Sequence, residues 1–236
     1  MLLYKKKEVK NLDNILYEKQ VTCLYCNLPF KTTKVKQSKL IVKHKDHDFC
    51  THYEGEINPY FYDVNVCPHC GYAFLGNTPE LRNSEKEILR KNYIERLNKI
   101  NLCGPRNMED AITSYKLALI FSTLLEEQYL MTASLCLRLS WLYRFQNNPQ
   151  EEERFLANAL NAYLSVYEFE DLNHLAMGKA TLFYLLAELN GRLKKYEETR
   201  KWFSRLFAEK NAEPRVVKMA RERWYDYKEQ IKEIGI

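Results

Sequence analysis

Two Cys-x-x-Cys pairs, about forty residues apart, are the residues of this chain best suited to chemistry. They are Cys23 with Cys26 and Cys67 with Cys70. Each spacing places two thiolates on one side of a tight turn, and two such turns can enclose a tetrahedral zinc ion. A redox-active pair would instead be expected once, within a βαβ pattern that is absent here. We therefore predict one structural zinc ion bound by the four cysteines.

The residues around each pair favour the turn that a metal site needs. Pro68 fixes the backbone inside the second turn, and Gly71 supplies a positive φ just after the second sulfur. Asn27 takes the corresponding place in the first turn, and asparagine tolerates that conformation best after glycine. His69 lies between two ligands and is expected to point to solvent.

A second group of potential ligands lies between the two pairs. Three histidines and a cysteine fall within nine residues, at His44, His47, Cys50 and His52. His47 and Cys50 are therefore candidates for an additional metal or thiol site. The alternative is a solvated hairpin tip, in which the histidines have no more function than the lysines beside them.

Few other residues suggest a reaction. The chain has only seven glycines and lacks a phosphate-binding Gly-rich loop, a Gly-x-Ser-x-Gly turn and a His-Glu-x-x-His helix. A zinc ion held by four thiolates has no open position for water. We therefore expect a non-enzymatic protein without catalytic residues. The routes left open are loss of one thiolate ligand, or catalysis by Cys50 with His47 or His52.

Composition favours a cytoplasmic protein without a membrane partner. No stretch approaches the length that spans a bilayer, and the apolar start gives way at once to Lys5, Lys6 and Lys7. Seven cysteines, an odd number, argue against a disulfide framework. With 236 residues, of which 46% are hydrophobic, the chain can build a small metal module and one larger domain.

The sequence pattern changes near residues 76–84. Short β-like runs lie before this boundary, at 30–35, 39–42 and 60–66. Alternate residues of the last run share one face, which predicts a strand leading to Cys67. Helical periodicity follows, opened by Ser84 and Glu87 as a capping box. We predict an α+β, mostly α fold, with a zinc-ribbon-like β module at 1–77 and a helical domain at 78–236 that folds on its own.

Seven helices are predicted after the boundary. Pro105, Pro149 and Pro214 mark three of the breaks, since proline stops or starts a helix. The predicted ranges are 84–100, 106–128, 130–146, 150–169, 172–191, 195–209 and 214–233.

Two helical segments resemble each other and, with the helices that follow them, resemble tetratricopeptide repeats. Residues 133–143 align with residues 180–190, and each segment precedes a turn and an amphipathic helix. Small residues in such repeats let two helices approach closely. Those positions would be taken here by Ser140, Ala159, Ala187 and Thr199. The two units are offset by 47 residues, whereas such repeats recur about every 34 residues, so an ordinary helical bundle is the alternative.

The chain also resembles a known family. The run Asp48-Phe49-Cys50, followed by Asn58-Pro59 and Tyr62, leads into the segment 64–73 around the second cysteine pair. This arrangement is similar to that of the uncharacterised bacterial family named domain of unknown function twenty-two twenty-five, which joins a cysteine-rich module to a tetratricopeptide-like region. The resemblance covers nearly the whole chain. It implies that the four cysteines belong together and that the loop from Asp48 to Tyr62 is part of the module.

If the repeat alignment holds, the first helix of each unit lines a concave face. That face would expose two aromatic and two basic side chains, which are Trp141, Arg144, Tyr184 and Arg192. Two arginines beside two aromatic residues suit an acidic or carboxylate-ended peptide. The alternative places Trp141 and Tyr184 in the core. We expect an adaptor that binds a protein or peptide through this domain.

The charge distribution allows a second class of function. Residues 1–50 contain eleven Lys and five acidic residues, whereas residues 51–236 contain 25 basic and 26 acidic residues. The basic excess therefore lies on the module, where lysines can contact phosphates. No arginine precedes Arg82, so the bidentate guanine contact that specifies sequence is unavailable there. Binding of RNA or non-specific DNA by the module is the alternative to the adaptor.

Overall fold

A computed structural model describes residues 15–96, 100–125 and 129–234. Short strands come first and helices follow, which confirms the α+β, mostly α fold with a small N-terminal module. Within these ranges, none of the helices combines the length and the apolar character that crossing a bilayer requires.

The module consists of three separate antiparallel strand pairs. Each pair is a two-stranded sheet, an arrangement that is marginal in water without further packing or a metal. The pairs are β1 (Leu16–Thr22) with β2 (Pro29–Val35), β3 (Val42–Lys45) with β4 (Thr51–Tyr53), and β5 (Asn65–Val66) with β6 (Ala73–Phe74). The first and third pairs carry the two cysteine turns between their strands.

Two of the β predictions are corrected by the structure. The predicted strand over 60–66 is wrong in its first half, where Pro59–Tyr62 forms a 3-10 helix. Asn58 caps that helix by accepting a hydrogen bond from Tyr60 N at 3.0 Å, and proline at the first position favours it. The predicted strand over 39–42 is wrong at its start, because Lys39 is the last residue of the 3-10 helix Gln37–Lys39. The strand β3 begins only at Val42.

All seven predicted helices occur in the described part of the chain. They are α1 (Asn83–Asn92), α2 (Met108–Leu124), α3 (Tyr129–Phe145), α4 (Pro149–Phe169), α5 (Lys179–Arg192), α6 (Tyr196–Ala208) and α7 (Pro214–Ile234). Residues 97–99 and 126–128, which belong to two of the predicted helices, lie outside the described residues.

One predicted helix cap and one predicted helix start are wrong. The capping interaction of α1 uses Arg82 N and Glu85 Oε2, 2.6 Å apart, while Glu87 pairs with Arg90 instead of capping Ser84. The start of α5 is at Lys179 and not at residue 172, because Gly178 has a φ of +78°, which a right-handed helix does not admit.

Consecutive helices pack against one another, and the most extensive contacts join α3 with α4 and α5 with α6. These are the two helical units that the sequence aligned. The four small residues assigned to the close helix crossings have no exposed surface, and they are Ser140, Ala159, Ala187 and Thr199. Assignment of the two pairs to the tetratricopeptide class stays a prediction.

The module and the helices share one hydrophobic core. Arg106, just before α2, donates hydrogen bonds to the carbonyl oxygens of Phe61 and Val64 in the module, at 3.0 and 2.8 Å. The Tyr115 hydroxyl of α2 donates to Asp63 Oδ2 at 3.1 Å. The boundary at residue 77 is thus a change of secondary structure across a packed interface, and this shared core argues against the expected independent folding of the helical part.

Candidate metal centre and arginine face

The two cysteine turns have the same backbone hydrogen bonds. In each, the amide four residues after the first cysteine donates to that cysteine's carbonyl: Asn27 to Cys23 at 3.0 Å, and Gly71 to Cys67 at 2.8 Å. Asn27 and Gly71 have φ angles of +59° and +78°. The predicted left-handed conformations are therefore confirmed, and each turn directs two sulfurs and several amides inward.

The four sulfurs converge on one point. Cys23 Sγ lies 3.6 Å from Cys70 Sγ, and Cys26 Sγ lies 3.7 Å from Cys67 Sγ. All four sulfurs lie within 4.8 Å of one another. A tetrahedron with metal–sulfur bonds of 2.3 Å has edges of about 3.8 Å, so the donor set fits a single four-coordinate ion.

Hydrogen bonding favours proton loss from one of these thiols, whereas burial opposes it. Cys23 and Cys67 have no exposed surface, and Cys26 and Cys70 are half-buried. A hydrogen bond with the Cys70 thiol lowers the pKa of Cys23 to about 5, and the same interaction raises the pKa of Cys70. Burial raises the pKa of Cys67 to about 11. One thiolate is thus favoured without a metal, and a bound cation would supply the charge that the other three need.

The predicted additional site is arranged differently from the expectation. His47 is exposed and Cys50 is fully buried, and neither belongs to a described group of three or more potential metal ligands. Burial raises the pKa of the Cys50 thiol, which keeps it protonated. The residues brought together are instead His44, Asp46 and His52.

The His44, Asp46 and His52 group is better arranged for hydrogen bonding than for a metal. The two imidazole rings stack with centroids 4.0 Å apart and planes at 15°. Because each nitrogen lone pair lies in its ring plane, one ion cannot lie in both of two nearly parallel planes. Asp46 Oδ2 already accepts from His52 Nε2 at 2.9 Å and from Arg144 Nη1 at 2.6 Å.

Arginine side chains on one face of the helical region bind the loop that contains Asp46 and Asp48. We call Trp141 and Arg144 of α3, with Tyr184 and Arg192 of α5, the arginine face. Asp48 inserts into it with no exposed surface and accepts from Arg144 Nη2 at 2.6 Å and Trp141 Nε1 at 3.2 Å. Arg192 Nη2 lies 3.5 Å from Asp48 Oδ1. Burial opposes the charge of Arg144, but its hydrogen bonds to Asp48 and Glu152 outweigh burial and raise the guanidinium pKa.

The ion network continues into the last helix. Glu188, also without exposed surface, accepts from Arg192 Nε at 2.9 Å and Arg223 Nε at 2.7 Å. The Tyr227 hydroxyl of α7 lies 3.0 Å from Glu188 Oε2. Alternating carboxylates and guanidiniums therefore join the module to α3, α5 and α7.

The four residues of the arginine face all contact Asp48 or Phe49, but they are less exposed than the sequence analysis expected. Trp141 is 7% exposed and Tyr184 is fully buried, with Phe49 of the module stacked on Tyr184 at a centroid distance of 5.4 Å. Arg144 and Arg192 are half-buried. The segment Asp46–Phe49 covers the face, so the predicted acidic ligand position is filled from within the same chain.

Comparison with known proteins shows the family of this chain. The model of a family of uncharacterized proteins conserved in bacteria (DUF2225) matches residues 16–227. This chain belongs to the DUF2225 family. It is also similar to an uncharacterized protein of Borreliella burgdorferi, with 26% identity over 193 residues that cover 70% of this chain and 68% of the relative. No solved structure gives a significant match.

In this DUF2225 protein, the residues that carried the family resemblance join the module to the helices. Asp48 enters the arginine face, Asn58 caps the 3-10 helix, and the Tyr62 hydroxyl accepts from Arg106 N at 3.2 Å. The loop from Asp48 to Tyr62 is therefore an integral part of the module, as the resemblance implied. Sequence reasoning missed Arg106 and Glu188. The available signals were the charge of Glu188 within an otherwise apolar helical run and the position of Arg106 directly after Pro105.

Proposed function

We propose that this DUF2225 protein is a non-enzymatic interaction protein, in which a zinc-stabilised module braces a helical region that binds a protein segment. The observation that carries the proposal is an open apolar groove with a basic rim on the last two helices. The four-cysteine centre supports the stabilising role, because a closed thiolate set is typical of structural zinc and leaves no position for a substrate.

The groove lies between α6 and α7 and has a volume of about 650 Å³. Tyr196, Trp224 and Ile231 supply its apolar surface, and all three are half-buried. Lys194, Lys195 and Lys228 stand exposed on its rim. Unlike the arginine face, which holds Asp46–Phe49, this groove is open to a second molecule.

The chemistry of the groove defines the partner. An amphipathic helix can place apolar side chains at i, i+3 and i+4 against Trp224 and Ile231. Acidic residues beside that apolar stripe would face the lysines of the rim, and such complementarity raises the rate of association and sets orientation. The expected partner is therefore a protein with an acidic amphipathic segment.

A triple charge-reversal variant and a matched control variant test this proposal. Replacing Lys194, Lys195 and Lys228 by Glu should abolish photocrosslinking to a partner from a probe amino acid at Tyr225, which is 61% exposed on α7. The matched control replaces Lys39, Lys43 and Lys218, which are exposed but lie outside the groove, and should keep the crosslink. Both variants should have melting temperatures close to that of the parent. Each surface substitution usually changes the free energy of unfolding by less than about 0.5 kcal/mol.

The alternative function predicts a different product. If the crosslinked species is sensitive to nuclease and is lost equally in the control variant, the protein binds nucleic acid through the lysine-rich module and the groove is not the binding surface.

A further inference from the structure

Positive charge exceeds negative charge where the module meets the helices. Three cations gather there, Lys34 of β2, Arg106 before α2 and Arg138 of α3, around a single carboxylate, Asp63. All three cations lower the pKa of Asp63, although burial is the larger effect and leaves that pKa raised. Arg106 is buried and Lys34 and Arg138 are half-buried, and cations partly withdrawn from water in this way favour an anion beside them.

Arg106 has no carboxylate partner among the described residues. Its Nε and Nη1 atoms donate to the carbonyl oxygens of Leu102, Phe61 and Val64, and its Nη2 atom is buried without a hydrogen-bond partner. Carbonyl dipoles orient this guanidinium, and the carboxylates of Asp63 and Asp110 act on its charge only from beyond ion-pair distance.

Asp63 does not form a close ion pair with either of the other two cations, Lys34 and Arg138. Its Oδ2 atom accepts from the Tyr115 hydroxyl at 3.1 Å and lies 3.6 Å from Arg138 Nε, a distance too long for a hydrogen bond. Arg138 Nε is buried and has no acceptor. Lys34 Nζ donates to the backbone carbonyls of Tyr62 and Asp63 and not to a carboxylate.

A cavity of about 400 Å³ opens at this junction. One wall comes from the β1–β2 hairpin, where Tyr17 and Lys34 are cross-strand partners and Lys19 follows on the same face. The lining also includes Asp63 and Arg138. Three cationic side chains and one carboxylate therefore line the same space.

We propose that this cavity binds a small organic anion through a phosphate or carboxylate group held by Lys34, Lys19 and Arg138. Arg138 supplies a planar guanidinium suited to two oxygens, and the lysines supply point charges. The cavity volume falls within the range of small-molecule sites and exceeds what an inorganic anion fills. Tyr17, Gln37 and Asn77 at the wall can contact the remainder of such a molecule.

The titration of Lys34 agrees with this geometry. Burial, followed by the charge of Arg106, lowers the Lys34 pKa to about 8, while Asp63 opposes the shift and Lys19 adds to it. An anion bound beside Lys34 would favour the ammonium form and raise that pKa again. A pKa rise at Lys34, and not at exposed lysines outside the cavity, distinguishes binding in the cavity from binding on the surface.

Calorimetric titration of the zinc-bound full chain tests the proposal, with inorganic phosphate, adenosine monophosphate and citrate as probes at constant ionic strength. Adenosine monophosphate or citrate should bind more tightly than inorganic phosphate, and the stronger of the two identifies the phosphate or the carboxylate source. Lys34→Gln and Arg138→Gln should each weaken that binding about tenfold, the loss expected for one charged hydrogen bond. The matched control is Lys39→Gln, on an exposed lysine outside the cavity, which should bind like the parent.

A third variant keeps the proposal testable if Lys34→Gln or Arg138→Gln fails to fold, because it should gain affinity. Asp63→Asn removes the competing carboxylate and should strengthen binding about tenfold. Lysine side-chain NMR on the same samples should show the Lys34 pKa rising on addition of the stronger probe. The proposal is overturned if no probe binds, if Lys34→Gln binds as tightly as Lys39→Gln, or if the Lys34 pKa is unchanged at saturation.

Discussion

Asp48 is a carboxylate without exposed surface, and it is stable there because protein donors replace water. Arg144, Trp141 and the Cys50 amide all donate to it, and Arg192 lies nearby. Such a paired charge contributes little beyond an apolar pair, but its removal leaves guanidiniums buried without their partner. The residue therefore matters most for specifying how the module sits on the helices.

Asp48→Asn should lower the free energy of unfolding by about 3 to 5 kcal/mol, because it keeps the shape of the side chain and removes the charge opposite Arg144. Urea unfolding of the zinc-bound protein measures this change. Asp171→Asn is the control, since Asp171 pairs with His174 in an exposed position and its loss should leave the free energy of unfolding nearly unchanged. Equal effects of the two variants would show that the arginine face does not hold the module.

Proximity along the chain decided which of these residues the sequence revealed. The cysteine turns were predictable because Cys-x-x-Cys spacing, Pro68 and Gly71 act within a few neighbouring residues. Asp48 and Arg144 are 96 positions apart, and nothing local to Arg144 indicates that its ligand lies in the same chain. For that reason the sequence suggested a separate acidic ligand for the arginine face, whereas Asp46 and Asp48 of the same chain lie against it.

Cys70→Ser should lose the proposed zinc ion and expose residues 21–76 to protease, because structural zinc contributes about 10 to 16 kcal/mol to the folding of small modules. Elemental analysis and limited proteolysis report the two effects. Cys50→Ser should keep one zinc ion, since Cys50 lies outside the four-sulfur group. Zinc retained in Cys70→Ser would exclude the proposed centre, and a second zinc lost only in Cys50→Ser would restore the additional site.

At the scale of elements, one glycine sets the approach of α7 to α5. A Cβ atom added at Gly191 would overlap the ring and hydroxyl of Tyr227. The glycine therefore lets Tyr227 reach Glu188, to which its hydroxyl hydrogen-bonds. Helical periodicity indicated both helices, but it carries no information on how closely they cross.

Gly191→Ala should destabilise the protein by about 1 to 3 kcal/mol, although alanine is the better helix former, because overpacking displaces Tyr227. Thermal unfolding with tyrosine fluorescence measures the loss. Gly104→Ala offers the comparison, since an added Cβ there meets nothing within 4 Å. A Gly191→Ala variant at least as stable as the parent would mean that the crossing adjusts freely.

Local chemistry also explains which element boundaries were predictable. Pro149 and Pro214 begin α4 and α7 as expected, since proline fits the first turn of a helix. The start of α5 was missed because residues 172–177 have a mixed composition that does not exclude a helix, and only the positive φ of Gly178 ends the turn. The strand β1 was missed because most of its side chains are exposed and show no apolar alternation.

At the scale of the whole molecule, the module and the helices complete each other. Tyr72 of the module packs on Phe121 of α2 with a centroid distance of 4.9 Å, and both rings are buried. Arg144 and Arg192 receive part of their compensating charge from Asp46 and Asp48. The structure therefore changes the expectation of an independent helical domain, which was based on capped helices and apolar faces alone.

Residues 78–236 expressed alone should be helical but should lack a cooperative thermal transition. Without the module, Phe121 and its neighbours on α2 become exposed, and the arginine face loses Asp46, Asp48 and the ring of Phe49. Circular dichroism during heating and binding of a hydrophobic dye measure the two consequences, with the zinc-bound full chain as the reference. A fragment that melts sharply within a few degrees of the full chain and binds no dye would show two independent domains. The ion network would then be a docking contact between them and not part of a common core.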